Sequence, residues 1–176
     1  MIFHETEIKG VFIIDPKRVE DERGFLARTW CQRKFQAHGL NTVWVQSNIV
    51  FNWKKGTLRG LHYQAKPHGE VKLVRCTRGA IHDVVVDLRP GFQSLGKWVS
   101  VELSAENRRM LYIPKGFAHG YQTLTDHTEV SYQMSEFYHP ESARGVRWND
   151  PAFGIHWPEG KRILSDRDSA FSDFRL

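Results

Sequence analysis

Apolar and polar positions alternate in short runs along most of the chain, and the runs are punctuated by Gly, Pro, Asn or Asp. Between about Gly10 and Met134, segments rich in Val, Ile, Tyr, Trp and Phe fall at 11–14, 43–51, 71–76, 81–88, 98–103, 110–113, 121–124 and 128–134. A period of two in pieces this short predicts strands, and their number and even spacing predict an antiparallel sandwich or barrel. A helical period appears once, where Cys31-Gln-Arg-Lys-Phe-Gln-Ala-His38 runs into Gly39, so one short helix closed by glycine is expected near the start. After Tyr138 the pattern is lost. The segment Trp148-Asn-Asp-Pro-Ala-Phe-Gly-Ile-His-Trp-Pro158 followed by Ile163-Leu-Ser-Asp-Arg-Asp168 reads as irregular structure whose aromatic residues fold it over the β core. Such a tail can carry Asp168 to a distant site.

The chain has 176 residues, which suits one domain spanning 1–176 with a single core. Its 40% apolar and 26% charged residues are ordinary for a globular protein. No apolar run approaches the roughly 18 residues of a spanning helix, and Met-Ile-Phe-His-Glu-Thr-Glu lacks the basic start and apolar stretch of a signal peptide, so a cytoplasmic protein is expected. Cys31 and Cys76 are too few for a disulfide framework and read as free thiols. The net charge of +5 favours an anionic partner. Because the basic residues are spread along the chain and form no polybasic arm or recognition helix, neither a nucleic acid nor a membrane surface is expected to be that partner.

Candidate chemistry concentrates in Gly56-Thr-Leu-Arg-Gly-Leu-His-Tyr-Gln64, which places a guanidinium and an imidazole on one β-prone segment. Arg59 can fork onto a phosphate or carboxylate, His62 can accept a proton near neutral pH, and Gly60 leaves room for close approach of backbone or ligand. Pro114-Lys-Gly-Phe-Ala-His119 has the spacing of the second signature of the cupin barrels, which often hold a metal through histidines. The paired histidines of the first signature are missing near His62, and Lys72 adds a cation where a metal wants donors, so no metal is expected. If the barrel interior gathers His62, Lys72, His119 and Tyr132, a base, a positive charge and a phenol surround one substrate. That equipment suits removal of a proton beside a ketone, stabilisation of the enolate and return of a proton to the other face, which is epimerisation. Several candidates also have an ordinary reading: His62 as a satisfied structural histidine, Tyr132 as a core aromatic, Asp168 as a loop charge beside Asp166 and Arg167, and Asp83 as either a partner of a pocket histidine such as His119 or a solvated carboxylate.

Taken together, several ordered motifs resemble the dTDP-4-dehydrorhamnose 3,5-epimerases. They are Arg23-Gly-Phe, Gly56 through Gln64, Lys72-Leu-Val-Arg-Cys76, Asp83-Val-Val-Val-Asp87, Leu103-Ser-Ala-Glu-Asn107, Ile113-Pro-Lys-Gly-Phe-Ala-His-Gly120, Trp148-Asn-Asp-Pro151 and Leu164-Ser-Asp-Arg-Asp168. The resemblance implies an all-β, cupin-type double-sheet jelly roll with one short N-terminal helix and an irregular C-terminal segment packed on the barrel. It also implies a homodimer acting without metal or cofactor on a nucleotide-linked 4-keto-6-deoxyhexose, most simply the dTDP sugar. By motif position, His62 matches the base, Asp168 its orienting carboxylate, Lys72 the enolate-stabilising lysine and Tyr132 the acid. Tyr138 matches an aromatic that stacks on the nucleotide base. Arg23, Gln46, Asn48, Arg59 and His119 match substrate-binding positions, and Arg28 and Arg167 join that set. Two departures bear on specificity, since Arg28 and Ala143 stand where many members have glutamate, and Gln46-Ser47-Asn48 replaces a Gln-Asp-Asn run. A CDP- or GDP-linked sugar, inversion of one carbon only, a non-catalytic nucleotide-sugar-binding cupin and a metal-holding cupin are the rival readings.

Overall fold

The period-two segments form two facing antiparallel sheets in the computed structural model, which describes residues 1–175. With strands numbered in chain order, the six-stranded sheet runs β1 (Ile2–Glu5), β2 (Phe12–Asp15), β10 (Met110–Ile113), β7 (Lys72–Arg78), β12 (Thr128–Met134), β5 (Gln46–Asn52). The five-stranded sheet runs β13 (Ala143–Gly145), β6 (Leu58–Gln64), β11 (Phe117–Thr123), β8 (Ala80–Asp87), β9 (Trp98–Ser104). A separate hairpin pairs β3 (Arg18–Asp21) with β4 (Gly24–Ala27), and two short helices, α1 (Gln32–Ala37) and α2 (Asp166–Ser169), complete the fold. This is the all-β double-sheet jelly roll expected from the sequence. Among the described residues no helix is long and apolar enough to cross a membrane.

Three apolar layers hold the sheets in place. Between them, Val74, Leu111, Ile113 and Val130 of the six-stranded sheet interlock with Ile81, Val85, Leu103 and Phe117 of the other. Cys76 is buried in the same layer, and burial pushes its thiol up to about 11. On the outer face of the five-stranded sheet, Leu58, Leu61, Val84 and Val86 pack under Val146, Phe153 and Trp157 of the tail. The strand β8 is therefore buried on both faces, which is why its sequence reads as an unbroken Val84-Val85-Val86 run. Burying side chains such as Phe153 and Trp157 stabilises the tail's position by about 1.5–3 kcal/mol each. On the opposite outer face, α1 presents one fully buried residue, Phe35, to Ile14, Leu73 and Met110.

The outcome differs from the sequence expectation at several edges. The strand expected at 121–124 begins at Phe117, and the one expected from Val43 begins at Gln46, Val43 being exposed. The short strands β1, β3, β4 and β13 and the helix α2 had no periodic signal. Each is at most four residues long, and β3 is exposed throughout.

Candidate active site between the sheets

A cavity of about 410 Å³ opens between the sheets, and its lining comes from both walls. The six-stranded sheet supplies Gln46 and Asn48 from β5, Lys72 from β7, and Tyr132 and Met134 from β12. The five-stranded sheet supplies Arg59, His62 and Gln64 from β6, and His119 and Tyr121 from β11. Tyr132 and His62 thus face the same space from opposite sides. Strict alternation would send Arg59 and His62, three positions apart, to opposite faces of β6. The register between β6 and β11 shifts instead: His119 opposes His62 while Tyr121 opposes Arg59, so β6 carries one extra residue. This bulge re-aims the strand so that both side chains line the cavity. It depends on glycine, since Gly60 has φ +129° and a Cβ there would stand 2.5 Å from Gly120 Cα.

The tail brings Asp168 to His62. Its residue Ile163 bridges in parallel to Thr57 at the entry to β6, with Leu58 N donating to Ile163 O and Ile163 N to Gly56 O, each at 2.9 Å. Ser165 then caps α2 by accepting from Asp168 N, and the Asp168 carboxyl turns onto the strand. His62 Nε2 lies 2.6 Å from Asp168 Oδ1, and Gly60 N donates to Oδ2 at 3.3 Å. Burial alone would raise the Asp168 pKa, but the His62 hydrogen bond and charge, the Gly60 N–H and the Ser165 contact together hold it below its ordinary value. A carboxylate on Nε2 fixes the neutral imidazole with its proton there and its lone pair on Nδ1. The edge of Phe171 packs on the same ring at a centroid distance of 5.8 Å, in space that only a glycine at position 145 leaves open.

Lys72 reaches from one sheet toward the other, its Nζ 3.1 Å from Glu70 Oε1 and donating to His62 O at 3.3 Å. Glu70 is itself fixed, accepting from Gln64 N at 3.0 Å, so the ammonium is held by a buried, hydrogen-bonded carboxylate. His119 Nε2 donates to Asp83 Oδ1 at 2.8 Å, which realises the first of the two readings for Asp83. Burial raises the pKa of Tyr132, opposed by the nearby Arg59 guanidinium, so its phenol remains protonated across the neutral range. Burial likewise pushes Tyr121 up to about 12. Around these groups the guanidiniums of Arg59, Arg144 and Arg167 line the cavity, an arrangement that attracts a multivalent anion. Tyr138 stands at the mouth, 57% exposed.

Of the residues singled out from the sequence, His62, Lys72, Tyr132, Asp168, Gln46, Asn48, Arg59, His119, Tyr138 and Arg167 meet in or directly behind this cavity. Arg23 and Arg28 do not. Arg23 sits at the tip of the β3–β4 hairpin, exposed and paired to Asp21, and Arg28 is exposed just after that hairpin. Sequence reasoning missed Glu70, Arg144, Tyr121 and the clamping role of Gln64. A signal existed for Glu70, whose separation of two from Lys72 places both on one face of an extended segment.

Comparison with known proteins adds a family. The family model described as dTDP-4-dehydrorhamnose 3,5-epimerase matches residues 5–175. The chain is 46% identical over 165 residues to the dTDP-4-dehydrorhamnose 3,5-epimerase of Shigella flexneri, a match covering 93% of this chain and 91% of that one. The crystal structure of the enzyme of the same name from Elizabethkingia anophelis superposes with a TM-score of 0.95 at 40% identity, covering 99% and 96% of the two chains. The dTDP-6-deoxy-D-glucose-3,5-epimerase of Legionella pneumophila, in complex with dTDP-4-keto-L-rhamnose, gives a TM-score of 0.92 at 39% identity over 98% and 92%.

Proposed function

Because the chain belongs to the dTDP-4-dehydrorhamnose 3,5-epimerase family, we propose that its cavity epimerises dTDP-4-dehydro-6-deoxy-D-glucose at carbons 3 and 5, giving dTDP-4-dehydro-L-rhamnose. Both carbons flank the carbon 4 ketone, so one base and one acid serve each in turn. His62 takes the proton from the carbon, and the C–H electron pair moves into a new C=C bond as the ketone becomes an enolate. Asp168 holds the imidazole in its basic tautomer and stabilises the imidazolium that forms. The Lys72 ammonium stands against the developing enolate oxygen. Tyr132 then delivers its proton to the opposite face as the enolate collapses back to the ketone, and the carbon is inverted. The single observation that carries this reading is the placement of His62 and Tyr132 on opposite walls of one cavity.

Substrate binding follows from the same lining. Arg59 and Arg167 suit the diphosphate, Tyr138 offers a ring to the nucleotide base, and Gln46, Asn48 and His119 offer hydrogen bonds to the sugar. The protein works as a homodimer of single-domain chains, each spanning 1–176. What supports the dimer is the β3–β4 hairpin, which projects Val19 and Leu26 at 67% and 77% exposure and carries Arg23 away from its own cavity. Arg23 and Arg28 then serve the substrate site of the other copy.

Two variants test the chemistry together. His62→Ala lowers the rate by about 10²–10⁴-fold, the usual worth of a positioned proton-transfer group. Tyr132→Phe keeps proton removal but loses inversion, so solvent deuterium enters the substrate without product forming. Near-normal turnover by either variant contradicts the assignment.

A further inference from the structure

Beside the cavity mouth lies a cluster that the epimerase chemistry does not use. His68 belongs to the turn between β6 and β7, and Glu136 and His139 follow β12. One ligand atom from each lies within 4.8 Å of the others. The two imidazoles stack at a centroid distance of 3.5 Å and an angle of 10°. Glu136 Oε1 is 3.8 Å from His139 Nε2, and Glu141 Oε1 is 3.1 Å from His139 Nδ1 and 3.9 Å from His68 Nε2. None of these four residues lines the cavity.

We propose that His68, Glu136 and His139 form a binding site for a divalent first-row transition ion at the rim of the active site, with Glu141 as an adjacent carboxylate. The donor set decides the class of ion. Two imidazoles with carboxylates suit Zn²⁺ and its neighbours, whereas Mg²⁺ and Ca²⁺ prefer all-oxygen shells. The ligands are partly withdrawn from water yet reachable, with side-chain exposures of 31%, 28% and 29% for His68, Glu136 and His139.

The site is also built from behind. Buried Gln64 donates from Nε2 to His68 O at 2.9 Å and to Phe137 O at 3.1 Å, and its Oε1 accepts from His139 N at 2.7 Å. One side chain therefore fixes both histidine-bearing segments before any ion arrives, which lowers the ordering cost of ligation. Tyr138 lies between two members of the site in sequence and lines the cavity mouth. An ion held there ties the turn before β7 to the segment that carries Tyr138. The site stands independently of the epimerase reading.

The test is calorimetric titration of ZnCl₂ into the full chain after chelator treatment and chelator removal. One saturable equivalent is expected. His68→Gln and His139→Ala each remove a ligand and weaken binding by at least about 10–100-fold, the range for disturbing even the groups behind a metal's ligands, or abolish it. His62→Ala leaves it intact, which separates this site from zinc captured by the catalytic histidine. Thermal unfolding of each metal-free variant at the wild-type temperature establishes that the loss is local. No saturable equivalent, or one lost in His62→Ala and kept in His68→Gln, overturns the proposal.

Discussion

Asp168 is only 4% exposed, yet its folded pKa lies below the ordinary carboxylate value because His62, Gly60 and Ser165 all favour its charged form over the opposing effect of burial. A carboxyl depressed in the folded state contributes stability that is fully present above its unfolded pKa, about 3.9, and is lost as pH falls through the folded value. Asp168→Asn is therefore expected to cost about 1.5–3 kcal/mol at pH 7, the range for a hydrogen bond to a charged group, with the gap to wild type narrowing below pH 4. Urea unfolding at the two pH values checks this, and a gap that widens in acid contradicts it. At this scale the sequence was legible in which residues gather, since the motifs marked His62, Lys72 and Tyr132 and the cavity brings all three together. It was illegible where the role comes from a neighbour brought in by folding: nothing local marks Gln64 as the side chain that clamps His68 and His139.

The element that matters most for the site is β6, because its extra residue turns Arg59 and His62 to the same space. A Cβ at Gly60 would stand 2.5 Å from Gly120 Cα and 2.9 Å from His119 O, both backbone atoms that cannot swing away. Gly60→Ala should destabilise the fold by about 1–3 kcal/mol, as overpacking typically does, and should lower activity further by moving His62 off Asp168. Unfolding and kinetic measurements on the same preparation separate the two effects, and a fully stable, fully active variant contradicts the bulge account. The bulge was not legible, since a period-two reading of Leu58 to Gln64 assigns Arg59 and His62 to opposite faces. The long strands were legible because one or both faces are apolar, as in β8 and β12. The hairpin strands β3 and β4 were not, because their side chains face outward and carry no buried stripe.

At the scale of the molecule, the tail crosses the outer face of one sheet to deliver Asp168, so a residue 106 positions from His62 becomes its partner. The aromatic content of the segment containing Trp148 and Trp157 foretold the packing, whereas the residue the tail would reach was readable only through the family motif. The hairpin poses the complementary case. It leaves Arg23 outside its own cavity, and in the dimer reading it completes a neighbour's. Light scattering should then give twice the 20.5 kDa chain mass. Arg23→Ala should raise KM while leaving kcat near wild type, because it removes binding and no proton-transfer group; a monomer with an unchanged KM contradicts this. The central claim is that one base removes a proton beside the ketone and an acid opposite returns one. Proton NMR of dTDP-4-dehydro-6-deoxy-D-glucose incubated with the protein in deuterated water reads it directly. Enzyme-dependent replacement of the protons at carbons 3 and 5 by deuterium, with appearance of the inverted sugar, is the predicted result. Exchange at one carbon only contradicts the double epimerisation, and no exchange at either, with binding intact, contradicts the catalytic account itself.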